Sequence, residues 1–174
     1  MLLSREECRS GEAPQGFKDQ SEAIALQADC IEAGIYDPCE DSGSRWGDAQ
    51  CAWANLHVAE RRIRTAEQSL IASAQKSKPT GRLQNELNSS GERWKAARER
   101  FCEERDQLVT KAEEAGDAEQ TDSGEKLGYC MRRVTEERAL ELERFADRLR
   151  GGQAPAELKE LLAYLRAKPR FTPG

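Results

Sequence analysis

The apolar residues of this chain recur three, four or seven positions apart, the spacing that places them on one face of an amphipathic α-helix. The pattern predicts a long helix over about 44–74. The run KSKPTG ends this helix because Pro79 and Gly81 disfavour a helix interior, and a second long helix follows. After the acidic run GDAEQTDSGE, a third is predicted over about 126–149. Three long helices therefore dominate the predicted structure.

Shorter helices flank these three. They are predicted over about 17–33 and 155–167, and the turn-rich run GIYDPCEDSGS separates the first short helix from the first long one. Residues 1–16 are expected to form a loosely ordered terminus and residues 168–174 a tail, leaving one helical domain over 17–167. No run alternates as a strand would. We therefore predict an all-α fold, an elongated bundle of three main antiparallel helices with short helices at either end.

Composition agrees with this fold and narrows the possible functions. Of the 174 residues, 37% are hydrophobic and 34% are charged, so we expect a thin core spread along the helices. The net charge is -5 and there is no basic stripe, so no nucleic-acid partner is expected. No run approaches the roughly 18 apolar residues of a membrane span. The start, MLLSREECRS, lacks an apolar signal core, so we expect either a cytoplasmic protein or the mature form of an exported one.

The six cysteines favour the exported alternative. No two of them form a C-x-x-C pair, and the chain has a single histidine, His57, whereas structural zinc sites use closely spaced ligands. Disulfides in an oxidising compartment are therefore favoured over free buried thiols. The cysteines concerned are Cys8, Cys30, Cys39, Cys51, Cys102 and Cys130.

Helix register suggests a pairing. If the first two long helices run antiparallel about the KSKPTG break, at about 1.5 Å per residue, Cys51 falls within roughly one turn of Cys102. The same construction about the acidic break carries Cys130 toward the end of the bundle where the loop with Cys39 should return. Six cysteines allow 15 pairings. Among them we predict Cys51 with Cys102, Cys39 with Cys130, and Cys8 with Cys30.

The sequence offers no convincing catalytic or metal site. His57 has no thiol to activate if every cysteine is paired, and a partly exposed residue on the flank of a helix is the simpler interpretation. Adjacent carboxylates such as Glu103 and Glu104 are expected to be solvated helix surface rather than a general acid and base. No glycine-rich phosphate loop is present. We therefore predict a protein that is not an enzyme, with no cofactor and no metal.

Two loops are candidate binding surfaces. The acidic run from residue 113 to 125 would attract a cationic partner, although a flexible solvated loop is an equal alternative. Its carboxylates are Glu113, Glu114, Asp117, Glu119, Asp122 and Glu125. In the loop over 36–46, Tyr36 and Trp46 are the kind of aromatic residue that anchors interfaces, while Trp46 could equally cap the bundle.

Two motifs on the second and third long helices resemble those of the LprI-type lysozyme inhibitor family. The first runs from Trp94 through Arg98 and Glu99 to Cys102, and the second contains Cys130, Thr135, Arg138 and Leu142. The spacing between Cys39 and Cys51 also matches, so the resemblance covers about 39–149. Independently of the family, Trp94 shares a helix face with Phe101 and is expected to anchor the core near Ile63.

The resemblance implies a small periplasmic or secreted helical protein, exported with a signal or lipoprotein leader. Such a protein would inhibit a peptidoglycan-cleaving enzyme by occluding its active cleft. An immunity protein against a delivered cell-wall toxin is a variant of this hypothesis. A non-catalytic envelope adaptor is the alternative from another class. Two roles are open for the charged residues of the motifs. They would either form ion pairs between helices or contribute to the surface that meets the target; the residues are Arg98, Glu99 and Arg138.

Overall fold

The computed structural model describes residues 4–10, 20–41, 45–74, 80–116, 123–151 and 154–171. The helices are α1 (Arg5–Ser10), α2 (Gln20–Glu32), α3 (Arg45–Ala74), α4 (Thr80–Glu114), α5 (Ser123–Arg150) and α6 (Ala154–Arg166), with a 3-10 helix over Pro38–Asp41. No strand occurs within these ranges. The predicted all-α bundle is confirmed. Within residues 4–10, α1 is held to α2 by a disulfide between Cys8 and Cys30.

The three long helices run up, down and up. α3 packs chiefly against α5, while α4 packs against α5 and α6 and touches α3 over a smaller area. Gly128 on α5 explains how closely α3 and α5 approach each other. A Cβ atom there would lie 3.0 Å from Cβ of Ala52 and 3.1 Å from Nε1 of Trp53. Glycine therefore permits a contact between α3 and α5 that a larger residue would push apart.

The core is divided along the bundle. One cluster joins α3, α4, α5 and α6 through buried leucines, including Leu70, Leu87, Leu142 and Leu161. A second, toward the other end, packs Leu56 against Cys102, Cys130, Met131 and Val134. A third surrounds Cys8, Cys30 and Tyr36 at the N terminus. This distribution fits the thin core expected from the composition. No described helix combines the length and the apolar character needed to cross a bilayer.

All six cysteines are paired, but two of the three predicted pairs are wrong. The structure confirms Cys8 with Cys30. It joins Cys39 to Cys51, with 4.8 Å between their Cα atoms, and Cys102 to Cys130, with 5.6 Å. These separations are normal for disulfides.

Register explains the correction. Leu56 is the buried residue of α3 in the cluster that contains Cys102 of α4, and Trp53 packs against this cluster while partly exposed. Cys51 precedes Leu56 by five residues, or about 7.5 Å of helix, which is too far for a bond to Cys102. Cys51 instead meets Cys39 in the 3-10 helix that leads into α3, and Cys102 faces Cys130 on α5. The second pair ties together the two helices that flank the acidic run.

Candidate functional site

The centre of the candidate site is Trp94, in the middle of α4. Its side chain is 7% exposed, so the expected core anchor is confirmed. Two guanidinium groups lie over the indole, with Cζ of Arg98 5.2 Å and Cζ of Arg138 5.6 Å from the ring centroid. Phe171, beyond α6, packs edge-on at 6.4 Å between centroids. The ring thus holds two cations against its π-surface, an arrangement that favours a desolvated position for both.

Arg98 links the three long helices. Its Nη1 donates to Oε1 of Glu60 on α3 at 2.9 Å and to Oγ1 of Thr135 on α5 at 3.0 Å. Thr135 in turn donates to the carbonyl oxygen of Met131 at 2.6 Å. Oε1 of Glu99 is 3.8 Å from Arg98 Nη2, and its side chain is half exposed. Arg98 and Thr135 therefore act in a buried inter-helix network, whereas Glu99 lies at its solvent edge.

Arg138 occupies a different position. It is 6% exposed, and its Nη2 donates to Oγ of Ser90 at 2.9 Å. Its guanidinium also lies 5.2 Å from the ring centroid of Tyr164 on α6. Within the described part of the chain no carboxylate oxygen comes within 4 Å of this guanidinium. Arg138 is therefore a buried cation held by two aromatic rings and one hydroxyl group.

Three grooves meet at Trp94 and Arg138. The first, between α3 and α4, has a volume of about 190 Å³ and contains Glu67 and Lys95. Burial raises the pKa of the Glu67 carboxyl and is the largest influence on it. The positive charges of nearby basic residues act to lower this pKa; they belong to Arg138, Lys95 and Arg64. The second groove lies along α5 beside Leu140 and Phe171.

The third groove lies between α4, α5 and the segment that follows α6; we call it the basic groove. Arg93, Arg138, Lys168 and Arg170 supply four positive charges, with the rings of Trp94 and Tyr164 between them. Arg93 is oriented by a hydrogen bond from Nη2 to the carbonyl oxygen of Leu165, 3.0 Å away at the end of α6. None of the described residues that line this groove is acidic.

Of the two candidate aromatic anchors of the first loop, the structure describes the side chain of Tyr36. Tyr36 is 6% exposed and packs against the disulfide between Cys8 and Cys30. It belongs to the core of the N-terminal region, which corrects its proposed role as an exposed anchor. The side chain of Trp46 lies outside the described residues.

In the acidic run, the structure describes the carboxylate side chains only at the start. Glu113 is largely buried and forms an ion pair at 2.5 Å with Nζ of Lys126, which joins the end of α4 to the start of α5. Glu114 is exposed. Asp117, Glu119 and Asp122 lie outside the described residues. Glu113 therefore has a structural contact that the sequence did not reveal.

The described side chains form no cluster of histidines, cysteines and carboxylates suited to a metal ion. His57 is partly buried on α3, and every cysteine is in a disulfide. What the site offers is recognition chemistry: guanidinium groups, aromatic rings and grooves between helices.

Several residues of the site were not predicted. Glu60 could have been found, since the register about the KSKPTG break places it level with Arg98. Ser90, Tyr164 and Phe171 carried no comparable signal, because nothing in a single sequence fixes how α6 packs against α4. The last two lie beyond the region of family resemblance, yet they complete the surroundings of Trp94 and Arg138.

Comparison with known proteins gives one result. The model of the family described as "Lysozyme inhibitor LprI" matches residues 39–142, more than half of the chain. Trp94, Arg98, Thr135 and Arg138 all lie inside this range, whereas α1, α2 and α6 lie outside it. No curated protein and no solved structure matches the chain.

Proposed function

The chain belongs to the LprI family of lysozyme inhibitors, and on that basis we propose that it is an exported, non-catalytic protein that binds a peptidoglycan-cleaving enzyme and occludes its active cleft. The match over residues 39–142 is the observation that carries this proposal. Three disulfides support export, because such bonds persist in oxidising compartments such as the periplasm.

The interior of the bundle supports inhibition by steric occlusion. Arg98 ties α3, α4 and α5 together through Glu60 and Thr135, and a disulfide joins Cys102 to Cys130 nearby. A rigid scaffold presents its surface side chains with little entropy left to lose, which favours affinity without a covalent step. Arg98 and Thr135 thus serve to position the helices that meet the target.

The regions outside the matched range favour a specialised target. α1 and α2 contain a disulfide of their own, and α6 brings Tyr164 against Arg138. We propose that these regions adapt the scaffold to one cognate enzyme, as expected of an immunity protein against a cell-wall toxin delivered into the periplasm.

Electrostatic steering by the acidic run is a second component of the proposal. Glu114 is exposed at the end of α4, and Asp117, Glu119 and Asp122 follow it in sequence. Their charges would speed association with a cationic enzyme more than they would slow dissociation. Reversing the charge of Glu114, as in Glu114→Lys, should therefore lower the association rate at low salt. Reversing the charge of Glu103, which is exposed about three turns earlier on α4, is the matched control.

The test is inhibition of purified enzymes by the oxidised protein. A panel of lysozymes and bacterial peptidoglycan hydrolases is assayed by the clearing of purified peptidoglycan, and binding is measured by calorimetry. We expect saturable inhibition of at least one enzyme at equal molar amounts, unaffected by prior incubation of the protein with peptidoglycan. Strong inhibition of one toxin and none of ordinary lysozyme would support the immunity role. If no enzyme is bound and only envelope proteins are retained in a pull-down, the inhibitor role is wrong and the adaptor alternative replaces it.

A further inference from the structure

The basic groove has the opposite charge to the protein as a whole. The chain has a net charge of -5, yet the groove gathers Arg93, Arg138, Lys168 and Arg170 with no acidic residue among its described lining. Elsewhere in the bundle arginines are commonly paired, as Arg61 is with Asp29 and Glu32. The four cations of the groove have no carboxylate within 4 Å in the described part of the chain. A concentration of unneutralised charge is costly unless something else offsets it.

The innermost cation adds an independent observation. Arg138 is buried, and the aromatic rings of Trp94 and Tyr164 hold it in place. A guanidinium group has five N–H donors in a planar fork that matches a carboxylate. The described side-chain hydrogen bond of Arg138 uses one of its nitrogens, toward Ser90. The group therefore keeps donors for an anion that enters the groove.

Several carboxylates lie near the basic groove without lining it. Glu137 and Glu141 belong to the adjoining groove that shares Arg138 and Arg170, but they pair with Arg133 and Arg144. Glu86 is close enough for Arg93 to help lower its pKa, but its main partner is Arg166, which donates to Oε1 through Nε at 3.0 Å. Glu67 approaches Arg138 from the groove between α3 and α4. Neither residue lines the basic groove.

We propose that the basic groove receives a carboxylate-bearing segment of the target enzyme. This inference rests on the proposed function and identifies the surface that carries it out. Charge complementarity selects an acidic partner surface, and arginine, tryptophan and tyrosine are the residues that dominate binding energy at protein interfaces. The groove has a volume of about 380 Å³, enough for one or two acidic side chains to enter.

The lining of the groove combines residues from inside and outside the matched family region, so we expect the groove to determine which target enzyme is bound. Arg93, Trp94 and Arg138 belong to the matched family region, whereas Tyr164, Lys168 and Arg170 follow it. The inner wall thus lies within the matched region, and the outer wall lies outside it. The groove is also distant from the acidic run, since Trp94 and Glu114 are separated by 20 residues of one helix, or about 30 Å.

The first test reverses the exposed charges of the outer wall. Lys168 and Arg170 are exposed, so K168E/R170E should fold normally. We expect Kd for the inhibited enzyme to rise by about tenfold or more, because attraction becomes repulsion. R100E/K159E is the matched control, since it makes the same change in net charge at two exposed positions outside the groove, and it should leave Kd within about twofold.

The second test asks whether a carboxylate of the target touches the groove. A carbodiimide joins an amine directly to a carboxylate, with no spacer, so it reports only groups in contact. In the complex with the full oxidised protein, we expect a cross-link between Lys168 and an Asp or Glu of the enzyme. Lys159 on α6, outside the groove, should give none.

The outcomes separate the two proposals. Inhibition that survives K168E/R170E, with cross-links away from Lys168, would overturn the docking site and leave the inhibitor function intact. Binding of soluble peptidoglycan fragments by the unmodified protein, abolished in K168E/R170E, would show that the groove takes a cell-wall ligand rather than the enzyme. If the unmodified protein inhibits no peptidoglycan hydrolase, the proposed function fails and the docking site fails with it.

Discussion

The guanidinium carbon of Arg138 lies 5.6 Å from the centre of the Trp94 ring, and this contact joins α5 to α4 where three grooves converge. The two residues come from separate sequence motifs, 44 positions apart. Both motifs therefore contribute to a single packing contact between α4 and α5. Trp94 fills the space between helices and its π-surface accepts a cation that would otherwise be desolvated without compensation.

Trp94 should therefore contribute strongly to stability. Trp94→Ala removes a buried ring and should lower the free energy of unfolding by about 3–5 kcal/mol, while Trp94→Phe should cost less. Urea denaturation followed by far-ultraviolet circular dichroism gives the comparison without relying on tryptophan fluorescence. Leu108→Ala is the control, because Leu108 is 67% exposed and its truncation should change stability by less than about 0.5 kcal/mol. Equal effects of the two alanine substitutions would contradict this role for Trp94.

The disulfide pairing can be checked directly by trypsin digestion without reduction. Cys102 and Cys130 fall in the tryptic peptides FCEER and LGYCMR, and the structure predicts that these two form a cross-linked species of their own. Cys39 shares the peptide over residues 19–45 with Cys30, so the remaining cysteine peptides should appear in one larger species. Mass spectrometry distinguishes these products. Linkage of FCEER to the peptide containing Cys51 would instead restore the pairing expected from the sequence.

These pairings also show what the sequence could and could not predict. Arg98 meets Glu60, and Leu56 packs with Cys102; both pairs centre on residue 79, next to the centre expected from the KSKPTG break. Helix periodicity and the break thus predicted the register of α3 and α4 to within a residue. The register did not reveal that α3 faces α5 more than α4, because the rotation of a helix about its axis depends on close contacts such as that at Gly128.

The C-terminal part of the site could not be predicted from the sequence, for a related reason. The leucines of α6 predicted that it packs on the bundle, but an apolar stripe is equally compatible with several grooves. The placement that brings Tyr164 to Arg138 and Phe171 to Trp94 depends on shape complementarity in three dimensions. A single sequence carries no signal for such contacts.

Arg98 and Thr135 should be energetically coupled. Arg98→Met removes two hydrogen bonds of a charged group and should cost about 1.5–3 kcal/mol, whereas Thr135→Val should cost less. In a double-mutant cycle, the effect of both substitutions should fall short of the sum of the separate effects by about 0.5 kcal/mol or more. Glu99→Gln is the control, because Glu99 is half exposed at 3.8 Å and its pairing should contribute little. Strict additivity of the two substitutions would show that the buried hydrogen bond adds nothing.

Glu67 should make stability depend on pH. Because burial raises its pKa above the ordinary value of 4.5, the folded state binds this proton more tightly than the unfolded state does. The resulting contribution to stability is present below pH 4.5 and is lost as the pH rises through the higher pKa of the folded protein. Glu67→Gln removes the cost of a partly buried charge, so it should be more stable than the unmodified protein near neutral pH.

The difference between Glu67→Gln and the unmodified protein should then shrink as the carboxyl is protonated in acid. Urea midpoints from neutral pH to about pH 3 measure it, and comparing the two proteins at each pH cancels the effect of other titrating groups. Glu92→Gln is the matched control, since Glu92 is an exposed carboxylate on the same groove and removing it should change stability by less than about 0.5 kcal/mol. If Glu67→Gln is instead less stable at neutral pH, the attraction of Arg138, Lys95 and Arg64 outweighs burial, and the carboxylate is part of the charge balance that holds Arg138 in place.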